Sequence, residues 1–149
     1  METLYVKHYY ELSRDELYSI LRARAQVFVV EQNCPYQDLD AKDSRAYHLW
    51  IEDDRDGILA YSRVLERGVS FDEVAIGRVI SIRRGEHYGK RIMLAAIEVA
   101  RKQYSAAVIS LEAQVYAKGF YEKFGFVQSS EEFDEDGIPH IKMTLILDK

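Results

Sequence analysis

The chain has 149 residues, 48% of them hydrophobic, with a formal net charge of −5; that length fits one domain, 1–149, with an ordinary core. No apolar run approaches the ~20 residues that span a bilayer, the acidic balance speaks against nucleic acid as main partner, and one cysteine, Cys34, excludes an internal disulfide and suits a reducing cytosol. Met1 to Tyr5 lack the basic and apolar regions of a secretory signal, so a cytoplasmic location is expected.

Leu4–Tyr9 reads as a first strand. Ser13-Arg14-Asp15-Glu16 is a capping box and opens a helix. Its apolar stripe runs through Leu17, Ile20, Leu21, Val27 and Phe28, and Arg24 and Glu31 fall on the same stripe. An inward arginine needs an anion or carbonyls, because a desolvated charge without a partner is costly; at the stripe edge it snorkels instead. Ala46–Glu52 and Ile58–Glu66 predict a hairpin around Asp53-Asp54-Arg55-Asp56-Gly57. Glu73–Ile82 is a further strand, Lys90–Tyr104 an amphipathic helix, Ala107–Ala113 an apolar central strand, and Tyr116–Phe124 a short helix that Gly125 ends. Phe126–Phe133 and His140–Leu147 close the chain around Asp136-Gly137. The order predicts an α/β fold: a mixed, mostly antiparallel sheet of about six to seven strands with helices on both faces.

The junction between the Glu73–Ile82 strand and the helix after it is crowded with cations. Arg83, Arg84, Lys90 and Arg91 reverse the sign of the chain locally. Unpaired N–H groups at a helix start, together with the helix dipole, favour an anion, typically a phosphate. A nucleoside-triphosphate loop does not fit: Gly85 and Gly89 are separated by three residues, and Arg91 stands where a Mg²⁺-binding hydroxyl belongs. A helix start with solvated basic residues is the plainer alternative.

Arg84-Gly85-Glu86-His87-Tyr88-Gly89 resembles the pyrophosphate loop of the GNAT superfamily of N-acetyltransferases, Gln/Arg-x-x-Gly-x-Gly/Ala, with His87 at the first glycine. Ala117-Lys118-Gly119-Phe120-Tyr121-Glu122-Lys123-Phe124-Gly125-Phe126 is similar to the superfamily's second signature. Val27 to Asp40 and Glu135 to Ile141 resemble its ElaA-like family. The resemblance implies the GNAT fold, acetyl-coenzyme A as acyl donor and a primary amine as acceptor; the candidate carboxylates and histidines do not show metal-ligand spacing, so no metal is expected. The resemblance also implies a phosphate cradle at Arg84, Gly85, Glu86, His87, Tyr88, Gly89 and Lys90, and a backbone donor to the thioester carbonyl near Val79 or Ile80. Tyr121 is the implied acid for the leaving thiolate.

The base stays open among Glu31, Glu112, a histidine and a relayed water. His48 and His140 sit in strand-like runs, where histidine is structural or binds substrate. Arg24, Glu31, Asp38 and Asp40 are expected at the acceptor side, where Asp38, Asp40 and Asp43 form either an amine-attracting loop or a solvated one. Nothing near Cys34 activates it, which favours direct transfer over an acyl-enzyme. Two other functions compete: a non-catalytic acyl-coenzyme A sensor, and an acyl-homoserine-lactone-synthase-like acyltransferase. The assignment leaves room for a homodimer.

Overall fold

The computed structural model describes residues 1–82 and 87–147. Strand β1 (Glu2–His8) leads to helix α1 (Arg14–Arg24). The capping box forms as its sequence predicts: Ser13 Oγ accepts from the Glu16 N–H at 3.0 Å, and Glu16 accepts from the Ser13 N–H at 2.8 Å. Past Arg24 the winding widens into a π-helical stretch, Ala25–Glu31, rather than continuing as α-helix. The wider winding breaks the seven-residue alignment of Arg24 with Glu31: Arg24 is buried, while Glu31 is exposed.

Strands β2 (Ala46–Asp53), β3 (Gly57–Leu65) and β4 (Val74–Ser81) follow, then helix α2 (Tyr88–Tyr104) and strand β5 (Val108–Gln114). A short helix α3 (Lys118–Glu122) precedes β6 (Val127–Gln128), β7 (Phe133–Glu135) and β8 (Ile138–Ile146). The sheet runs β1-β2-β3-β4-β5-β8-β6, with β7 also on β8. It therefore has eight strands, more than the sequence predicts, because the stretch read as one strand from Phe126 to Phe133 supplies two short ones. Asp136 (φ 54°) and Gly137 (φ 82°) make the tight turn from β7 to β8.

Each face of the sheet is covered by a different helix. Ile92, Met93, Ala96 and Ala100 of α2 bury against Leu49, Leu59, Ile109, Leu111 and Met143. Ile20 and Ala23 of α1, with Val27, pack on Trp50, Ile58, Tyr61 and Ile80. None of the described helices is long and apolar enough to cross a membrane.

The irregularity that shapes the site lies in β4. Tyr61 faces Ile80 and Arg63 faces Gly77, so β4 carries one residue more than β3 across the same interval. Arg78 absorbs it as a β-bulge, at φ 51°. Beside it, β4 and β5 pair in parallel at Val74 with Ile109 and Ala75 with Ser110. Beyond those pairs the two strands diverge.

Candidate active site

The divergence opens a cleft of about 870 Å³ between β4 and β5. Ile76 to Ser81 form one wall, and Leu111, Glu112 and Gln114 the other. Gly89, Phe120 and Tyr121 line it on the α2 side; Phe28, Glu31, Tyr36, Glu135 and His140 line it on the α1 side. Residues that the sequence scatters over more than a hundred positions meet here.

The ladder decides which β4 amides face the cleft. The Ile82 N–H bonds the Leu59 carbonyl at 2.8 Å, toward β3. Antiparallel strands alternate the direction of their amides. Ile80 is therefore turned to β3 as well, while Val79 and Ser81 point where β5 has moved away. Of the two donors expected, Val79 turns its amide to the cleft; Ile80 commits its amide to the ladder and its side chain to the α1 core.

Helix α2 starts at the mouth of the cleft. Its N-cap, His87, has φ 61°, the left-handed conformation that glycine adopts without penalty and that histidine tolerates better than most residues. This accounts for a histidine at a position where the superfamily motif has glycine. Tyr88 turns its side chain away from the cleft, into a hydrogen bond with Glu2, so only its backbone fits the cradle. A Cβ on Gly89 would lie 3.5 Å from the Phe120 ring, and Lys90 is exposed in the first turn. Arg84, Gly85 and Glu86 lie outside the described residues.

Two titratable groups in the cleft are shifted from their usual range. Loss of water raises the Glu112 carboxyl above the usual glutamate range, and Glu135 adds to this against the pull of His140, Lys42 and Lys142. Burial, with a small contribution from Tyr116, raises Tyr121, whose phenol stays protonated at neutral pH. Tyr121 packs edge to face on Phe120 and Phe126 at 5.1 and 6.2 Å. His140 Nδ1 lies 2.8 Å from the Ile138 carbonyl, with Nε2 3.7 Å from Glu135.

The acidic loop corrects the sequence reading. Asp38, Asp40 and Asp43 meet Arg24, Arg63 and Arg78 in a closed, alternating ring. Arg24 bonds Asp38 at 2.9 Å and Asp43 at 2.7 Å. Arg63 bonds Asp43 at 2.8 Å and Asp40 at 2.9 Å. Arg78 closes the ring to Asp38 at 2.8 Å and Asp40 at 3.3 Å. The three carboxylates are neutralised from within and do not present free charge to an amine. Arg24 and Asp38 lie beneath the cleft rather than in it; Asp40 reaches the wall already paired. His48 is also corrected: it is fully buried, set between Tyr61 and the Asp43 carbonyl, and touches no part of the cleft.

Arg63 and Arg78 are the residues that sequence reasoning missed. Their signal was arginine inside two strands that otherwise read as buried, matched by three aspartates in one short loop. Cys34 is buried, 3.5 Å from the Asp136 carbonyl.

A splayed strand pair, a bulge and a helix start at its mouth make the kind of cleft expected of the acyltransferase fold that the sequence resembles, and comparison with known proteins agrees. An acetyltransferase (GNAT) domain model matches residues 12–147. The chain belongs to the GNAT family and is an N-acetyltransferase. It is 41% identical to the Escherichia coli protein ElaA over 142 residues, 91% of each chain. The crystal structure of E. coli ElaA matches with a TM-score of 0.89 at 38% identity, over 97% of this chain and 99% of that one. An acyl-CoA N-acyltransferase from Pseudomonas aeruginosa matches with a TM-score of 0.91 at 37% identity, over the same shares.

Proposed function

We propose that the protein transfers an acetyl group from acetyl-coenzyme A directly to a primary amine of a small molecule or protein. The observation that carries this reading is the parting of β4 from β5 past Ala75, where the Val79 N–H faces a cleft between the start of α2 and Glu112. The first turn of α2 offers backbone donors to the pyrophosphate, and Gly89 lets the chain approach closely. The thioester lies between β4 and β5, its carbonyl accepting from Val79.

Glu112 takes the proton that frees the amine lone pair, and its raised pKa suits that role near neutral pH. The amine nitrogen forms a bond to the carbonyl carbon, and negative charge grows on the oxygen facing Val79. The C–S bond then breaks, Tyr121 gives its hydroxyl proton to the thiolate, and the nitrogen, now that of the amide, loses its second proton to water. Solvent returns a proton to Tyr121 and removes one from Glu112. Glu31, His140 and Tyr36 border the acceptor. A protonated amine suits the Glu31, Glu112 and Glu135 side of the cleft.

Thiol release from acetyl-coenzyme A should be measured against a panel of diamines, amino acids, aminoglycosides and lysine peptides. Release that depends on an amine supports the reading. Coenzyme binding by calorimetry with no amine-dependent release would favour a sensor, and failure to bind the coenzyme would sink the proposal.

A further inference from the structure

We infer that the arginine–aspartate ring is a positioning device for the Val79 amide, with Arg78 as the residue that transmits its hold. The inference rests on the reading of Val79 as the donor to the thioester carbonyl. All three arginines come from the scaffold: Arg24 from α1, Arg63 from β3 and Arg78 from the β4 bulge. All three aspartates come from one loop, which has no strand of its own and only a single short turn, Asp43–Arg45. The ring thus straps the loop down and, through Arg78, holds the bulge in the same grip.

The bulge needs holding. A residue other than glycine rarely adopts φ near 51°, and it stays there only where its surroundings over-determine it. Arg78 has such surroundings. Its Nε donates to Asp38 at 2.8 Å, and its Nη2 donates to the Asp38 carbonyl at 3.0 Å and to Asp40 at 3.3 Å. Its guanidinium lies 6.0 Å from the Phe28 ring centre and 5.7 Å from that of Tyr36. Val79 follows directly, so the direction of its amide depends on the backbone angles of Arg78. The same contacts fix Tyr36 and Phe28, which line the cleft.

Arg78→Gly separates the two explanations of the bulge. Glycine is the residue best suited to a positive φ. If the backbone and ladder alone hold the bulge, the variant should match or exceed the parent in activity. If the side chain holds it, the amide is released. The fold should survive, because Asp38 keeps Arg24 and Asp40 keeps Arg63.

The measurement is the infrared carbonyl band of acetyl-coenzyme A labelled with ¹³C at the carbonyl, bound to the full chain. In the parent protein, a donor at Val79 moves the band to lower frequency than in water. In Arg78→Gly the band should return most of the way, and turnover with any amine that the parent accepts should drop ~10²-fold, the scale for a misplaced reacting group. Coenzyme affinity, set at α2, should hold. An undisplaced band in the parent protein would sink the donor reading itself. A displaced band in the parent that persists unchanged in Arg78→Gly would overturn the ring's role and leave the donor reading standing. Should Arg78→Gly fail to fold, Arg78→Lys decides: lysine keeps the charge but cannot span Asp38 and Asp40 together, so a band at the parent position would overturn the inference.

Discussion

The hydroxyl of Tyr61 donates to Nδ1 of His48 at 2.6 Å, and this direction is fixed by the other side of the ring. Nε2 lies 3.0 Å from the Asp43 carbonyl, which can only accept. His48 therefore carries its proton on Nε2, and Nδ1 is left to receive. Burial, together with Arg24 and Arg63, keeps its pKa below the usual histidine value against the pull of Asp43. Below about pH 6.5 the unfolded chain binds a proton at this residue that the folded chain resists, so stability falls as the pH drops through that value. His48→Leu should cost on the order of 1–3 kcal/mol for each partner left unpaired. It should also flatten the pH dependence of the urea midpoint between pH 7 and 5 (about the range where histidine titrates). An unchanged slope would place the titration elsewhere.

The arginine–aspartate ring acts in a lower window. Burial pushes the Asp40 and Asp43 carboxyls up, but Arg63 and Arg78 at Asp40, and Arg24 and Arg63 at Asp43, outweigh it, and both end below the usual aspartate range. A depressed carboxylate pKa contributes stability that is complete above the unfolded value and is lost as pH falls through the folded one. Acid unfolding should therefore steepen below about pH 4. Arg24→Met leaves Asp38 and Asp43 each short of a buried partner and should cost about 3–5 kcal/mol. Chemical denaturation at pH 7 measures it; a loss near zero would show the ring to be energetically idle.

If Glu112 is the base, kcat/KM rises with pH through a pKa above that of an ordinary glutamate. Glu112→Gln should lower the rate by ~10²–10⁴-fold and remove that limb. Glu135→Gln should instead move the limb to lower pH, since Glu135 helps to hold the Glu112 pKa up. A limb that survives in Glu112→Gln would pass the role to Glu31.

Tyr121→Phe removes one hydroxyl and keeps the ring contacts with Phe120 and Phe126. Turnover should fall by ~10²-fold or more, with thermal stability and coenzyme affinity retained. Activity close to that of the parent would leave Tyr121 a packing residue.

Gly89→Glu would set a side chain against Phe120 and add negative charge at the start of α2. Calorimetry should show coenzyme binding lost while the circular-dichroism spectrum stays native. Unaltered affinity would remove the α2 start from the site.

The elements were legible where periodicity and capping act locally. Ser13 with Glu16 fixed the start of α1, and the turn residues Asp53 to Gly57 marked the hairpin of β2 and β3. The π-helical stretch after Arg24 was not; it carries Phe28 and Glu31, which line a cleft that exists only once β4 and β5 have parted. The same holds for the acidic loop. Asp38, Asp40 and Asp43 read as an amine-attracting or a solvated loop until Arg63 and Arg78 are brought over them from strands 20 to 40 residues away. The bulge leaves no composition signal, since any residue can lose register; it shows only in the strand register and in the φ of Arg78.

The parting of β4 and β5 also makes a seam. Among the described residues the two halves of the sheet share only the pairs Val74 with Ile109 and Ala75 with Ser110, reinforced by α2 lying across both. A bound molecule that spans the cleft replaces ladder contacts the protein does not make, so a tight ligand should raise the melting temperature by mass action. The same seam sets a bound on engineering. Side chains chosen to knit the strands together would strengthen the molecule along the very line that a guest must enter, and thermostability gained there would come at the expense of occupancy.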